Sequence, residues 1–297
     1  MDSDEQLFDS QFLQSLRRLF ARLRRRSSNL RGNHQAPAIG NSKEFKDRRS
    51  YVAGDDFRSI DWRCYARLEK LFVRLYEDIR EYHVHIIIDH SRSMVAPYPA
   101  KRRVALRAAA AIAYLALENN HRVSFHGCSD SLNRLLPPMK GAGQIHRVLD
   151  FLPRLEFAEG SSVATALRHF RPRGSALVYV FSDLLDPDPD ELIDSLGHFS
   201  RRNPDAWLVQ VLDPQEVRTD LQGSYHLLDE ERGITRQVFL GRAEMEAYER
   251  MLGEWLQALA NCASDHQLGY LRWLSEDAFD ERILALIDQG QALARRS

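Results

Sequence analysis

The stretch that most restricts what this chain can become is Val84-His85-Ile86-Ile87-Ile88-Asp89, followed by His90-Ser91-Arg92-Ser93-Met94. A short apolar, largely β-branched run closed by an acid reads as a buried central strand with its polar tip at the sheet edge. In open α/β sheets, ligands gather outside the carboxyl ends of the strands. Asp-x-Ser-x-Ser in a turn aims one carboxylate and two hydroxyls at one point, and such hard oxygen donors suit Mg2+ or Mn2+ rather than Zn2+. The same residue types also cap helices, so the pentapeptide does not stand alone. Ala176-Leu-Val-Tyr-Val-Phe-Ser-Asp183 is a second apolar strand ending in an acid, and Glu159-Gly160-Ser161-Ser162 precedes a helical stretch with Ala166 and Leu167. Three clusters of oxygen donors at strand ends and loops fit one cation.

This trio resembles the metal-ion-dependent adhesion site of von Willebrand factor A-like domains. There, Asp-x-Ser-x-Ser is joined by a Thr from a second loop and an Asp from a third. The resemblance implies Asp89, Ser91, Ser93, Ser161 and Asp183 as the ligands of Mg2+ or Mn2+. Ser161 stands where that pattern has Thr, and Ser162 where it has Asn; a hydroxyl is kept at 161.

Alternating strand and helix patterns over residues 82 to 290 predict a parallel-type α/β sheet. The expected fold is therefore a von Willebrand factor A-like, doubly wound α/β sheet, with a small N-terminal β-rich insertion and an N-terminal amphipathic helix. In that helix Phe8, Phe12, Leu16, Leu19 and Leu23 share one face. Arg17, Arg18, Arg22, Arg24, Arg25, Arg26 and Arg31 give the segment a basic character with no acid from Leu16 onward. Anionic lipid or RNA is one reading of that face; packing of the apolar stripe on the chain's own domain is the expected one. Leu71 to Glu77 reads as a strand leading into Tyr82 to Asp89, the pair forming the insertion. Pro99 to Asn120 reads as a buried alanine-rich helix, Tyr225 to Leu240 as a hairpin turning at Glu231-Arg232-Gly233, and residues 242 to 266 as a long amphipathic helix.

The segment before the metal strand carries a second signature. Glu44-Phe45 and Arg49-Ser50-Tyr51 lead to Gly54-Asp55-Asp56-Phe57-Arg58-Ser59-Ile60-Asp61-Trp62 and then Ala66-Arg67. The order resembles the bacterial domain-of-unknown-function family 58 (DUF58), in which the same run stands just upstream of the Asp-x-Ser-x-Ser strand. The boundaries expected are a basic helix over 1–31, a signature segment over 32–81 and the α/β domain over 82–297. Residues 32 to 42 read as surface loop. Arg49, Arg58, Arg67, Asp56 and Asp61 are expected to form a charge network around Trp62. Asp55, Asp56, Arg58, Asp61 and Trp62 are the candidates for an accessory partner-binding surface.

Composition narrows the classes. With 41 basic against 42 acidic residues in a chain of 297, no global field favours nucleic acid, and none is expected as a partner. Cys64, Cys128 and Cys262 are far apart, which suits a reducing cytoplasm and argues against structural zinc. No apolar segment is long enough to span a bilayer, and the start Met-Asp-Ser-Asp-Glu lacks the features of a signal peptide. A cytoplasmic protein is expected, with membrane association not favoured.

Adhesion-type sites leave a position on the cation for a partner's acidic side chain, so the expectation is a non-enzymatic, metal-dependent binding module. Members of the resembled family are associated with MoxR-type AAA+ ATPases. That implies an adaptor that helps such a motor remodel or mature a client protein. The alternative is a Mg2+-dependent phosphatase or phosphotransferase with Asp89 as nucleophile. Ser91 stands where that chemistry needs a general acid, and His90 is expected to face away from the cation.

Overall fold

The Ile86-Ile87-Ile88 triplet is fully buried because its strand is central to the sheet and both faces are covered, Ile86 and Ile88 entering one core cluster and Ile87 the other. The computed structural model describes residues 7–30, 43–78, 82–128, 132–157, 162–186, 188–218, 223–229 and 234–293. In chain order its elements are α1 (Ser10–Leu30), β1 (Lys43–Ser50), α2 (Trp62–Leu68), β2 (Phe72–Asp78), β3 (His83–Asp89), α3 (Ala100–Glu118), β4 (Arg122–Cys128) and β5 (Leu132–Lys140). There follow α4 (Ile145–Phe151), α5 (Val163–His169), β6 (Ala176–Ser182), α6 (Pro189–Ser200), β7 (Ala206–Leu212), α7 (Pro214–Val217), β8 (Gly223–Asp229), β9 (Ile234–Leu240), α8 (Arg242–Asp265), β10 (Gly269–Leu274) and α9 (Phe279–Leu293). Contacts divide the chain into two units, Met1–Arg25 with Tyr82–Ser297, and Arg26–Glu81.

The larger unit holds a six-stranded sheet of order β10-β7-β6-β3-β4-β5, parallel throughout except for β5 at one edge. Numbered among the strands of this sheet alone the order is 3-2-1-4-5-6, the doubly wound arrangement, in which the order reverses at β3 and β6. The fold is the von Willebrand factor A-like α/β class expected. Alternation along each strand feeds two cores. Val84, Ile86, Ile88, Phe125, Phe181, Val209 and Trp273 pack with α3, while Ile87, Val178, Val180 and Leu208 pack with residues of α5, α6 and α8.

From Ala108 to Leu117 helix α3 is apolar around its whole circumference and almost wholly buried. Ala105, Ala108, Ala109, Ala110, Ala111 and Ala113 have no exposed surface and belong to the same cluster as the sheet residues. Side chains this small let a helix lie close to a sheet. Helix α1 covers it further: Leu7, Phe12, Leu16 and Leu19 are buried in that core, Phe20 meets Tyr114 edge-on at 6.0 Å, and Phe12 meets Phe279 at 5.6 Å. The Arg107 Nε donates to the Leu7 carbonyl at 2.7 Å, and its guanidinium lies 5.3 Å from the Phe12 ring centre. The amphipathic helix thus packs on its own domain. Arg17, Arg18 and Arg22 are exposed; the side chains of Arg24, Arg25 and Arg26, and Arg31, lie outside the described residues.

Two expectations about strands are corrected. β2 does not pair with β3 in an insertion; it pairs antiparallel with β1, and β3 is central to the large sheet. β5, an antiparallel edge strand carrying Pro137 and Pro138, was not expected from the sequence. Pairing on one side only lets an edge strand hold prolines that lack an N–H. The β8–β9 hairpin is a separate two-stranded ribbon, and its turn at 230–233 lies outside the described residues, as does the 31–42 segment.

Candidate metal and partner-binding site

β3 and β6 end side by side, and their polar tips meet. Asp89, Ser91, Ser93 and Asp183 line one small cleft together with Val163, Leu185 and Asp186. Its volume of about 10 Å³ has room for an ion or a water and none for an organic substrate. Asp89 is 2% exposed: one carboxylate oxygen accepts the Ser91 N–H at 3.0 Å and the other the Ser182 hydroxyl at 2.6 Å. The Ser91 and Ser93 hydroxyls lie 3.0 Å apart. Burial, and then the negative charge of Asp183, push the Asp89 carboxyl up to about 6.

Asp183 is fixed by its neighbours on every side. Its Oδ1 accepts the Leu185 N–H at 3.2 Å, and its carbonyl accepts the Gln210 amide at 2.9 Å. Tyr270 in turn donates to the same Gln210 side chain at 2.6 Å. The next residue, Leu184, has φ of 54°, left-handed and costly for a bulky side chain. It is held there by its N–H on the Ser182 hydroxyl at 2.9 Å and its carbonyl under the Trp255 indole N–H at 3.0 Å. Asp186 accepts the Ala164 N–H at 3.3 Å and so ties the start of α5 to this loop.

A further charged group at the site was not legible from residue patterns. Lys101, 1% exposed at the start of α3, donates to Asp183 Oδ2 at 3.1 Å and to Glu216 Oε1 at 2.5 Å. Burial works against its charge, but Asp183 and Glu216 outweigh burial and the ammonium titrates above its ordinary value. Glu216 is positioned by the capping box of α7, where its other oxygen accepts the Asp213 N–H at 2.8 Å. Burial raises its pKa. The signal available in sequence was a lone lysine heading an alanine-rich helix, which reads equally well as a solvated first turn.

Lys101 bridges Asp183 and Glu216, while Asp89 is close enough to Asp183 for their charges to repel, so the ionised carboxylates of the site outnumber its one ammonium. Among the described residues no three His, Cys, Asp or Glu side chains converge as a metal cage. The donor set is instead two carboxylates and two hydroxyls, the hard oxygen chemistry of Mg2+ or Mn2+. These residues fit such an ion in both charge and donor type. Ser161 lies outside the described residues; its neighbour Ser162 caps α5 by accepting the Thr165 N–H at 3.1 Å. The His90 ring lies against Gly127, where a methyl group would meet it at 2.7 Å, and burial lowers its pKa.

In the smaller unit the signature residues separate into two groups. Asp55 takes both guanidinium nitrogens of Arg49 at 2.8 and 2.6 Å, which holds its carboxyl below the usual range. Asp61 is 2% exposed and accepts from Arg48 at 2.7 Å and Arg74 at 3.4 Å, as well as from the Arg63 and Cys64 N–H groups that begin α2. The Arg48 bond, above all, draws its pKa down to about 2. Asp56 only caps the turn that follows it. The charge network therefore joins Arg48, Arg49 and Arg74 to Asp55 and Asp61. It does not use Arg58, Arg67 or Asp56, because the two arginines of β1 and the one of β2 reach the turn first. Arg58 and Trp62 face solvent, Trp62 with 57% of its surface exposed.

Residues 47–252 match the family described as "Protein of unknown function DUF58". The uncharacterized proteins Mb1516 of Mycobacterium bovis and Rv1480 of Mycobacterium tuberculosis are each 27% identical over 230 residues, which is 74% of this chain and 71% of theirs. Among solved structures, the chain is similar to the conserved hypothetical protein BatB from Bacteroides thetaiotaomicron, with 15% identity and a TM-score of 0.44 over 71% of this chain and 99% of that one. It is also similar to a von Willebrand factor type A protein from Catenulispora acidiphila, with 14% identity and a TM-score of 0.34 over 63% and 45%. The family match covers well over half of the chain and takes in the Gly54 to Trp62 signature, the Asp89 turn and the Asp183 strand end, so the protein belongs to the DUF58 family.

Proposed function

We propose that the protein is a non-enzymatic, metal-dependent binding module whose Mg2+ or Mn2+ ion takes an acidic side chain from a partner protein. The observation that carries this reading is the single ion-sized cleft shared by Asp89, Ser91, Ser93 and Asp183, together with its excess of negative charge. Asp89, Ser91, Ser93 and Asp183 would hold the ion, with Ser161 as the expected fifth donor. When bound, the ion supplies a Lewis-acidic position that a carboxylate can fill. Everything else at the site serves to keep those donors still: Ser182 on Asp89, Gln210 on the Asp183 backbone and Lys101 on the Asp183 carboxylate. The family resemblance supplies the partner class, a MoxR-type AAA+ ATPase and its client, with the module acting as adaptor at the cytoplasmic side. Among the described residues, no helix is long and apolar enough to cross a membrane.

The test is a calorimetric titration of Mg2+ and of Mn2+ into the purified full chain, then into Asp89→Ala and Ser93→Ala. One ion per chain is expected, lost in the first variant and weakened in the second, with the melting temperature nearly unchanged. No ion binding to the unaltered chain at millimolar metal overturns the reading. So does Mg2+-dependent hydrolysis of phosphate esters that disappears in Asp89→Asn, which would make the protein an enzyme.

A further inference from the structure

Helix α2 is unusual among the helices of this protein in having almost nothing behind it. Of its seven residues, Trp62 to Leu68, only Cys64 is not exposed. At about 100° per residue, Trp62 lies nearly opposite the half-buried Cys64, with Tyr65 and Leu68 down one flank of the helix and Arg63 and Arg67 down the other. Trp62 and Tyr65 touch edge-on at 6.2 Å. Just before the helix, Phe57 stands 67% exposed with the Arg58 guanidinium 6.0 Å from its ring centre. Val52 and Leu71, flanking this segment, are 62% and 38% exposed. A monomeric soluble surface rarely gathers this much apolar side chain within so short a stretch unless something is meant to meet it.

Most acids of the same segment are engaged locally, Asp61 by Arg48 and Arg74, Asp55 by Arg49 and Asp56 by the turn, while Glu69 is exposed. Arg58, Arg63, Arg67 and Lys70 point out, and none of them forms an ion pair among the described residues. The result is an exposed helix with Trp62 at its crest, Tyr65 and Leu68 on one flank and arginines on the other, and with more bases than acids on its surface. Trp and Tyr favour the boundary between lipid headgroups and acyl chains, and basic residues are drawn to anionic headgroups. Side chains that stand out from a surface insert readily into a soft interface.

We propose that this face of the smaller unit, Phe57, Arg58, Trp62, Arg63, Tyr65, Arg67 and Leu68, docks on an anionic lipid surface. The contact is peripheral, needs no membrane-spanning segment and does not depend on the metal reading of the α/β domain. Each arginine brought to such a surface strengthens partitioning about fivefold, so removal of three weakens it on the order of a hundredfold.

The full chain is sedimented with phosphatidylcholine vesicles, with and without phosphatidylglycerol, and Trp emission is followed alongside. Binding is expected only with phosphatidylglycerol, with a blue shift in emission that Trp62→Phe removes. The triple variant Arg58→Ala, Arg63→Ala, Arg67→Ala should lose about two orders of magnitude in partitioning, and Trp62→Ala with Tyr65→Ala a further measurable share. All these side chains are exposed, so melting temperatures should hold; if the triple variant melts early, Arg67→Ala alone serves, with its fivefold loss. Failure to bind acidic vesicles overturns the proposal and leaves the face to an acidic protein. Binding that persists unchanged in both variants also overturns it and points to Arg17, Arg18 and Arg22 of α1.

Discussion

Replacing Lys101 by Met tests the least expected feature of the site. The ammonium is 1% exposed and bridges Asp183 at 3.1 Å and Glu216 at 2.5 Å. Met is an unbranched apolar side chain one atom shorter, which removes the charge and both hydrogen bonds, so the two carboxylates are left near each other in a dry setting. Removing one partner of a buried ion pair typically costs about 3–5 kcal/mol, most of it the penalty of the stranded charge. For a protein of this size that corresponds to roughly 10 °C in melting temperature. Lys101→Met with Glu216→Gln should recover a large part of the loss, since one stranded charge is removed with its partner. Thermal unfolding followed by circular dichroism reads both. Mg2+ should stabilise Lys101→Met more than the unaltered chain, because the ion restores positive charge next to Asp183; at a hundredfold excess over Kd the gain is about 2.7 kcal/mol. A melting temperature within about 2 °C of the unaltered protein, or a double variant no better than the single one, would refute the account of Lys101 as the site's internal counter-ion.

Two further outcomes follow from the core. His85 and His126 lie on neighbouring strands with ring nitrogens 3.1 Å apart, near His83 and Arg134; burial first, and then those positive neighbours, lower them to about 3 and about 4. Both titrate lower in the fold than in the unfolded chain, so their contribution is intact above about pH 6.5 and is lost as pH falls through that value toward 4 and 3. His85→Phe should flatten this acid limb in urea melts taken from pH 7 to pH 4; at neutral pH it costs about 1–3 kcal/mol, because the buried bond to His126 is lost while the unpartnered His85 Nε2 is removed. Leu16→Ala, at a position 1% exposed in the main core, should cost about 2–5 kcal/mol by the same measurement; a loss under about 1 kcal/mol would mean α1 is not part of the core.

The parts of the fold that were legible are those where one interaction dominates. Ile86 to Ile88 and Val178 to Phe181 are buried on both faces and read as strands at sight, and their terminal acids gave the cleft. The edge was harder to read. Leu132 to Lys140 carries two prolines and alternates poorly, and only the partner strand β4 makes it a strand. Lys43 to Ser50 is nearly all charged, and it is a strand because β2 lies beside it. Lys101 and Glu216 are 115 positions apart, and nothing local marks either; what joins them is the shared need of two buried acids and one base for one another. The same holds for Arg48 and Arg74, which pair with Asp61 in place of the Arg58 and Arg67 expected in a network around Trp62.

The division of the chain has a consequence for how it folds. Helix α1 belongs with elements that begin at Tyr82, so the whole segment Arg26–Glu81 is threaded between two parts of one core. Closing a free loop of that length would cost about 4 kcal/mol in chain entropy. The antiparallel pairing of β1 with β2, however, sets Lys43 opposite Asp78. Once that ribbon zips, positions 43 and 78 are held together, and what remains to be closed is the chain on either side of the ribbon, less than half of the inserted segment. Early formation of the ribbon would therefore speed the docking of α1, whose apolar stripe otherwise leaves the ribosome long before α3 is there to receive it.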